Sequence, residues 1–229
     1  MQKTYFNWST GKDSALALFH LLKDNNYTIE KLLTSVNADF DRVSMHGIRR
    51  SLLEKQVQAL NIPFETIELR ENATMKSYEE VMTEAILKLK SGGFTTAAFG
   101  DIFLEDLKKY REEQLNKFEI KSVFPLWKRN TTELIEEFID SGFKSIIVAC
   151  DDRYLGKSFV GRTIDHEFLK DLPKNVDPCG ENGEFHTFCF DGPIFENQID
   201  FKIGKTISIE YDSPENSQEK IKYWFLDLI

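Results

Sequence analysis

The sequence predicts an α/β fold: an open, doubly wound parallel sheet followed by a second, smaller α+β domain. Short apolar runs alternate with helical-period segments in the first half, and a polar, glycine-containing turn follows the first apolar run. The alternation weakens after about residue 123, where glycines and turn pairs become frequent. Strands separated by helical stretches of this length connect through right-handed crossovers into a parallel sheet. We therefore expect one domain at residues 1–125 and another at residues 126–229.

The period of the apolar residues predicts each element in turn. Residues 3–8 form a strand, and residues 13–25 form a helix because Ala15, Leu18 and Leu22 recur on one face. Further predicted elements are strands at 29–36, 64–69 and 95–99 and helices at 48–60, 78–90 and 104–118. Beyond them lie a helix at 131–140, a strand at 145–150, a loop, strand and turn at 177–195, and two strands in the tail.

Composition argues against several classes of protein. The 229 residues carry a net charge of -9, whereas a general nucleic-acid binder needs an excess of Lys and Arg. No run approaches the roughly 20 apolar residues that span a bilayer, and the first residues lack a signal-peptide layout. The three cysteines form no CxxC pair, which disfavours a disulfide framework. We expect a cytoplasmic protein without a membrane partner, and a homodimer is left open.

The turn after the first strand has the chemistry of an anion site. Ser9, Gly11, Lys12, Asp13 and Ser14 lie where a helix N-terminus meets the carboxyl end of a strand. Glycine permits close backbone approach, lysine adds positive charge, and the two serines offer hydroxyl donors. These properties predict a phosphate-binding loop. The alternative is a simple helix cap made by Ser9 or Asp13.

The loop is not of the Walker A type, because Asp13 follows Lys12 where that motif has Ser or Thr. It resembles the PP-loop, SGGxDS, of the N-type ATP pyrophosphatases, with Thr10 at a position where the family usually has glycine. The resemblance implies a PP-loop ATPase fold and cleavage of ATP between its α and β phosphates. It also implies that the loop binds the departing pyrophosphate and that Mg2+ bridges phosphate oxygens, with Asp13 as a ligand.

Four further segments resemble those of the diphthine–ammonia ligase family. They are SMHGIR at 44–49, FGDI at 99–102, FPLW at 124–127 and GENGEFHT at 180–187. In that family a carboxylate is activated with ATP and passed to ammonia, which gives an amide, AMP and pyrophosphate. The acceptor is diphthine, a modified histidine of elongation factor 2, in archaea and eukaryotes, whereas a bacterial protein would need another acceptor. The resemblance implies an ATP-dependent amide ligase. Because no glutaminase segment is recognisable, we expect free ammonia as its nitrogen source.

The resemblance also assigns residues around the nucleotide. We expect the adenine to lie near the strand that ends at Val36, and His46 and Arg49 to contact nucleotide or substrate. Gly100 and Asp101 end a strand at the same sheet edge, where Asp101 can bind Mg2+ or orient substrate. The alternatives are a histidine bonded to a backbone carbonyl and a strand end that caps a helix.

The segment GENGEFHT supplies the expected acceptor site. Glu181, Asn182, Glu184 and His186 are its candidate substrate-binding residues. If Phe185 faces the core, strand alternation places Glu184 and His186 together on the opposite face. There they can take a proton from ammonium, as catalytic residues beside Lys12, Asp13 and Asp101. The alternative is a hairpin with solvated acidic side chains.

Two other functions remain open from the sequence. One is a nucleotide-binding sensor or interaction module without turnover, and the other is a PP-loop RNA-modifying enzyme. The charged run at 105–113, which includes Arg111, is predicted to be mostly a solvated helix face with i,i+4 pairs.

Overall fold

Two β-sheets organise the chain in the computed structural model, which describes residues 1–44, 46–71, 74–212 and 220–229. The first sheet contains β1 (Gln2–Asn7), β2 (Tyr27–Asn37), β3 (Arg42–Val43), β4 (Phe64–Leu69), β5 (Thr96–Ala98) and β6 (Lys121–Val123). The second contains β7 (Lys144–Asp151), β8 (Phe185–Asp191), β9 (Ile203–Asp212) and β10 (Lys220–Leu228). The helices are α1 (Lys12–Lys23), α2 (Arg50–Leu60), α3 (Met75–Ser91), α4 (Glu105–Asn116), α5 (Thr131–Asp140) and α6 (His166–Asp171), with a short 3-10 helix at Lys157–Phe159.

Parallel strands form the centre of the first sheet. β1 lies between β2 and β5, β4 pairs with β2, and β6 pairs with β5, all in parallel. Only the two-residue strand β3 runs antiparallel among the described strands of this sheet. This order brings the ends of β1, β2 and β5 to one edge, where α1 begins.

The two faces of the first sheet are covered by different helices, as side-chain alternation in β1 illustrates. Phe6 is buried with apolar residues of α1 and α2, whereas Tyr5 is buried with residues of α3 and α4. Helices on both faces make the sheet doubly wound, and the predicted fold class is confirmed.

The second lobe packs against the α1 and α2 side of the first sheet. Its sheet has the order β8-β7-β10-β9 and is antiparallel throughout the described residues. One apolar cluster joins Phe6 and Leu18 of the first lobe to Ile147 and Phe188 of the second. The halves therefore share an extensive interface, as the lack of a linker predicts.

Element positions follow the predicted pattern closely where the apolar period is strong. The helix predicted at 131–140 has these bounds in α5. The sequence does not predict β3, which has two residues, or β6, whose three residues Lys-Ser-Val include a single apolar one. The division at residues 125 and 126 stays a prediction, and it falls between the last strand of the first sheet and α5. No helix within the described ranges is long and apolar enough to cross a membrane. All three cysteines are free and buried.

Candidate active site

A cavity of about 640 Å3 lies at the carboxyl edge of the first sheet. Its walls come from the loop between β1 and α1, the ends of β2 and β5, helices α3 and α4, and the start of β8. Both lobes therefore contribute to it. This is the edge at which open α/β sheets bind their ligands.

Close backbone packing shapes the loop between β1 and α1. A Cβ added to Gly11 would lie 2.7 Å from Cε1 of His46, and one added to Gly100 would lie 3.0 Å from the backbone of Asp13 and Ser14. Thr10 has a φ of 73°, a left-handed conformation that suits glycine. Its buried hydroxyl has no hydrogen-bond partner among the described residues. The threonine thus adopts a backbone conformation that glycine, the usual residue at this position of the resembling motif, enters without steric strain.

The start of α1 retains donors for an anion. Gly11, at the N-cap position, supplies no side-chain cap. The Lys12 N–H donates to Oγ1 of Thr187 at 3.0 Å, which ties the loop to β8. The hydroxyls of Ser9 and Ser14 lie 2.7 Å apart beside it. Free N–H groups and hydroxyls at a helix N-terminus are a common setting for phosphate.

Lys12 is buried and its ammonium group is already bonded. Nζ lies 2.7 Å from both carboxylate oxygens of Asp13 and also donates to the Cys179 carbonyl. Burial lowers the pKa of Lys12, but Asp13, Cys179 and Glu181 together raise it by more, so the net pKa is raised. Because an ammonium group has three donors, contact with phosphate requires at least one of these bonds to be exchanged.

Three carboxylates face the cavity: Asp13, Asp101 and Glu181. Burial raises the pKa of Asp101, although Arg111 donates a 3.2 Å hydrogen bond to its Oδ1. Burial, and then the negative charge of Asp13, raise the pKa of Glu181 to about 7. Glu181 accepts only a long 3.4 Å hydrogen bond, from the Ile102 N–H, among the described residues. It is therefore a carboxyl group that can exchange protons near neutral pH.

Two neutral histidines form another part of the wall. The rings of His46 and His186 have centroids 5.0 Å apart. His46 Nδ1 lies 3.0 Å from the Thr187 carbonyl, which can only accept, so Nδ1 carries the proton and Nε2 is an acceptor. Burial lowers the pKa of both, that of His186 to about 3. A group with so low a pKa is a weak base for ammonium.

Glu184 does not lie beside His186, contrary to the expectation from strand alternation. It is buried outside the cavity lining, and its carboxylate accepts hydrogen bonds from Asp177 N (3.0 Å), Asn182 N (2.9 Å) and Asn182 Nδ2 (3.0 Å). The loop before β8 folds around this carboxylate, and Glu184 belongs to that turn. The alternation of side chains between the two faces of a strand therefore does not apply to Glu184. Asn182 is likewise outside the lining.

Four other expected contact residues also lie outside the cavity lining: Thr10, Gly11, Val36 and Arg49. Val36 is fully buried in the core, although its neighbours Thr34 and Ser35 do line the cavity. Arg49 forms a two-bond ion pair with Asp227 of β10, at 2.6 and 3.0 Å. It therefore joins the two lobes. Within the segment 44–49, Met45 lies outside the described residues.

The donor set fits Mg2+ held mainly by phosphates. No three His, Cys, Asp or Glu side chains converge on a metal position among the residues that the structure describes. Mg2+ usually takes only one or two carboxylates, with water and phosphate oxygens completing its shell. Asp13 and Asp101 supply that number, and Oδ2 of Asp101 is buried without a hydrogen-bond partner among the described residues.

Comparison with known protein families shows to which of them this chain belongs. A model described as the diphthamide synthase N-terminal domain matches residues 2–122, and one described as the diphthamide synthase C-terminal domain matches residues 130–227. The chain belongs to the diphthamide synthase family. The resemblance predicted from the sequence is confirmed.

Curated relatives of this chain carry a more specific name. It is 34% identical over 105 residues to the diphthine–ammonia ligase of Mus musculus, covering 42% of this chain and 38% of the mouse protein. The human enzyme is 33% identical over 107 residues, with the same coverage, and that of Danio rerio is 29% identical over 113 residues, or 45% and 43%. The chain thus spans about two fifths of the relatives it matches.

One solved structure is a distant match: the U34-tRNA thiolase NcsA from Methanococcus maripaludis with its 4Fe–4S cluster. It is 18% identical and covers 61% of this chain and 56% of the thiolase, with a TM-score of 0.37. Similarity at this level does not bear on function.

The main cavity-lining residue that sequence reasoning missed is Arg111. It lies in the predicted solvated run, and the pair Lys109–Glu113 in that run is indeed exposed, with Nζ and Oε1 4.0 Å apart. Arg111 instead lines the cavity, four residues after Leu107 and four before Leu115. This i,i+4 spacing on an apolar stripe of α4 was the available signal.

Proposed function

We propose that this member of the diphthamide synthase family is an ATP-dependent amide ligase of the diphthine–ammonia ligase type. The observation that carries the proposal is that one cavity is lined both by the β1–α1 loop, with Ser9, Lys12 and Ser14, and by Glu181, a carboxyl group whose pKa is raised to about 7. Adenylation requires the first, and amide formation from ammonium requires the second.

In the first half-reaction, ATP phosphates bind at residues 9–14 and the adenine binds near the end of β2. An oxygen of the acceptor carboxylate attacks the α phosphorus, the bond from that phosphorus to the β-bridging oxygen breaks, and pyrophosphate leaves with the electron pair. Negative charge grows on the leaving group, so donors of the loop stabilise the transition state more than the ground state. Mg2+, held by Asp13 and Asp101, would neutralise phosphate charge.

In the second half-reaction, ammonia attacks the acyl carbon and AMP departs with the electrons of the C–O bond. The nitrogen must lose a proton, and we assign Glu181 as its acceptor. This refines the prediction for Glu184 and His186. Glu184 is fully engaged in backbone hydrogen bonds, and His186 has too low a pKa, whereas Glu181 faces the cavity.

Product analysis tests the proposal. The purified protein is incubated with Mg2+, ATP, ammonium and elongation factor 2 that carries diphthine. We expect AMP, pyrophosphate and an amidated acceptor in equal amounts, with no AMP when the acceptor is omitted. Binding of ATP without AMP formation under all conditions would indicate a sensor and refute the ligase proposal.

A further inference from the structure

One wall of the cavity is made by α4 and has no role in the mechanism above. We define the α4 wall as the lining residues of that helix: Leu107, Tyr110, Arg111, Gln114 and Leu115. It lies on the β5 and β6 side of the phosphate loop, since α4 connects these two strands. The end of β2 lies on the other side of β1.

Arg111 is the charged group of the α4 wall, and its hydrogen bonding is incomplete. Its guanidinium lies 4.3 Å from the centre of the Phe99 ring, which fixes the plane of the group. It donates a single 3.2 Å bond from Nη2 to Asp101 Oδ1, while Nε of Arg111 and Oδ2 of Asp101 are buried without partners among the described residues. The unpaired guanidinium N–H is a donor and indicates a missing acceptor, whereas the free Asp101 oxygen is itself an acceptor and is left for Mg2+.

The missing ligand is an anion with two oxygens. The Nε and Nη2 edge of a guanidinium matches a carboxylate, which can accept both N–H groups in parallel. Among the described cations that line the cavity, Lys12 is saturated by Asp13 and Cys179, and Arg111 alone has an unused N–H. Apolar Leu107, Tyr110 and Leu115 surround this charge and suit the aliphatic stem of a ligand rather than a phosphate chain.

We propose that Arg111 binds the carboxylate of the acceptor and that the apolar part of the α4 wall packs against the acceptor's stem. This inference rests on the proposed function. In this arrangement the adenine of ATP lies on the β2 side and the phosphates lie at the β1–α1 loop. The part of the cavity on the β5 side is then open to the acceptor. The carboxylate then lies between Arg111 and the phosphates, as attack on the α phosphorus requires.

Kinetics of the adenylation half-reaction provide the first test. Pyrophosphate release is measured at saturating ATP while diphthine-bearing elongation factor 2 is varied. Arg111→Gln should raise the acceptor KM about tenfold or more, the loss expected for a charge-assisted pair, and leave the ATP KM within about twofold. Lys109→Gln, which removes the same charge from the exposed face of α4, should behave like the parent. An equal rise of both KM values in Arg111→Gln would assign the arginine to ATP or to folding and overturn the proposal.

Chemical protection provides a test that does not depend on turnover. Phenylglyoxal modification of Arg111 is followed by mass spectrometry in the presence of ATP, with butyrate or its neutral analogue butyramide added. Butyrate should slow the modification several-fold, and butyramide should not. Equal protection by the two compounds, or full protection by ATP alone, would overturn the proposal. If the parent lacks turnover with diphthine but butyrate still protects, the failure lies with the proposed acceptor and not with the carboxylate site.

Discussion

Replacing Glu181 by glutamine should make the protein more stable at pH 8 while it abolishes amide formation. Burial and the neighbouring Asp13 raise the pKa of this carboxyl from 4.5 to about 7. The folded protein therefore keeps a proton that the unfolded chain has already lost between these pH values. The free energy of unfolding falls as pH rises through this window, and above pH 7 the full loss is present.

The magnitude follows from the two pKa values. The difference between 4.5 and about 7, at about 1.4 kcal/mol for each pKa unit, gives about 3 kcal/mol. Because part of Glu181 faces the cavity and its solvent, we expect about 2 to 3 kcal/mol for Glu181→Gln at pH 8. At pH 4.5, where the native carboxyl is protonated and resembles an amide, the parent and variant should differ little.

Urea unfolding at pH 4.5 and pH 8 measures this difference. Glu184→Gln is the matched control, since it makes the same change three residues away. Its carboxylate accepts three hydrogen bonds, so the control should be less stable than the parent by about 1 to 3 kcal/mol. If Glu181→Gln has the same advantage at both pH values, or none at pH 8, a raised pKa at Glu181 is not the cause. On the activity side, amide formation by the parent should rise through pH 7, and Glu181→Gln should form no amide at pH values on either side of 7.

Three other substitutions test the phosphate loop. Thr10→Gly should raise the free energy of unfolding by about 1 kcal/mol in urea, because it relieves a left-handed φ and removes a buried hydroxyl without a described partner. Gly100→Ala should lose about 1 to 3 kcal/mol of stability in thermal unfolding and bind ATP more weakly in a titration, because the new methyl would lie 3.0 Å from the backbone. In the control Gly156→Ala nothing lies within 4 Å of the added methyl, so neither effect should be seen. Lys12→Ala should reduce turnover more than ATP affinity, measured by initial rates and calorimetry, and equal losses in both would contradict a transition-state role.

Local patterns predicted the parts of this protein that local forces determine. The apolar period located α1 and α5 because each helix buries one face against a sheet, and glycine chemistry located the loop at residues 9–14. Residues that lie elsewhere than predicted are held by partners distant in the chain. Arg49 is held by Asp227, 178 positions away, and nothing near Arg49 indicates that contact.

The electrostatic environment of the site was equally inaccessible to sequence reasoning. Burial beside His46 and Lys12 lowers the pKa of His186, whereas burial and then the charge of Asp13 raise the pKa of Glu181. Both effects arise only when β8 and the loop before it are brought over the start of α1. The motif predicted proton transfer by Glu184 and His186 and only substrate binding by Glu181, whereas burial and charge in the structure give each a different chemistry.

The charges in the cavity also determine at which stage of the proposed reaction Glu181 can act as a base. Asp13, Asp101 and Glu181 face Lys12 and Arg111 in one cavity, so bound MgATP adds its net negative charge beside a carboxyl whose pKa is already about 7. Added negative charge raises the pKa of Glu181 further, and release of pyrophosphate lowers it again. Glu181 therefore becomes an effective base only after adenylation, when ammonium must lose its proton. ATP binding at pH 7 should accordingly take up protons, seen as a dependence of the calorimetric enthalpy on buffer ionisation, and this uptake should be absent in Glu181→Gln.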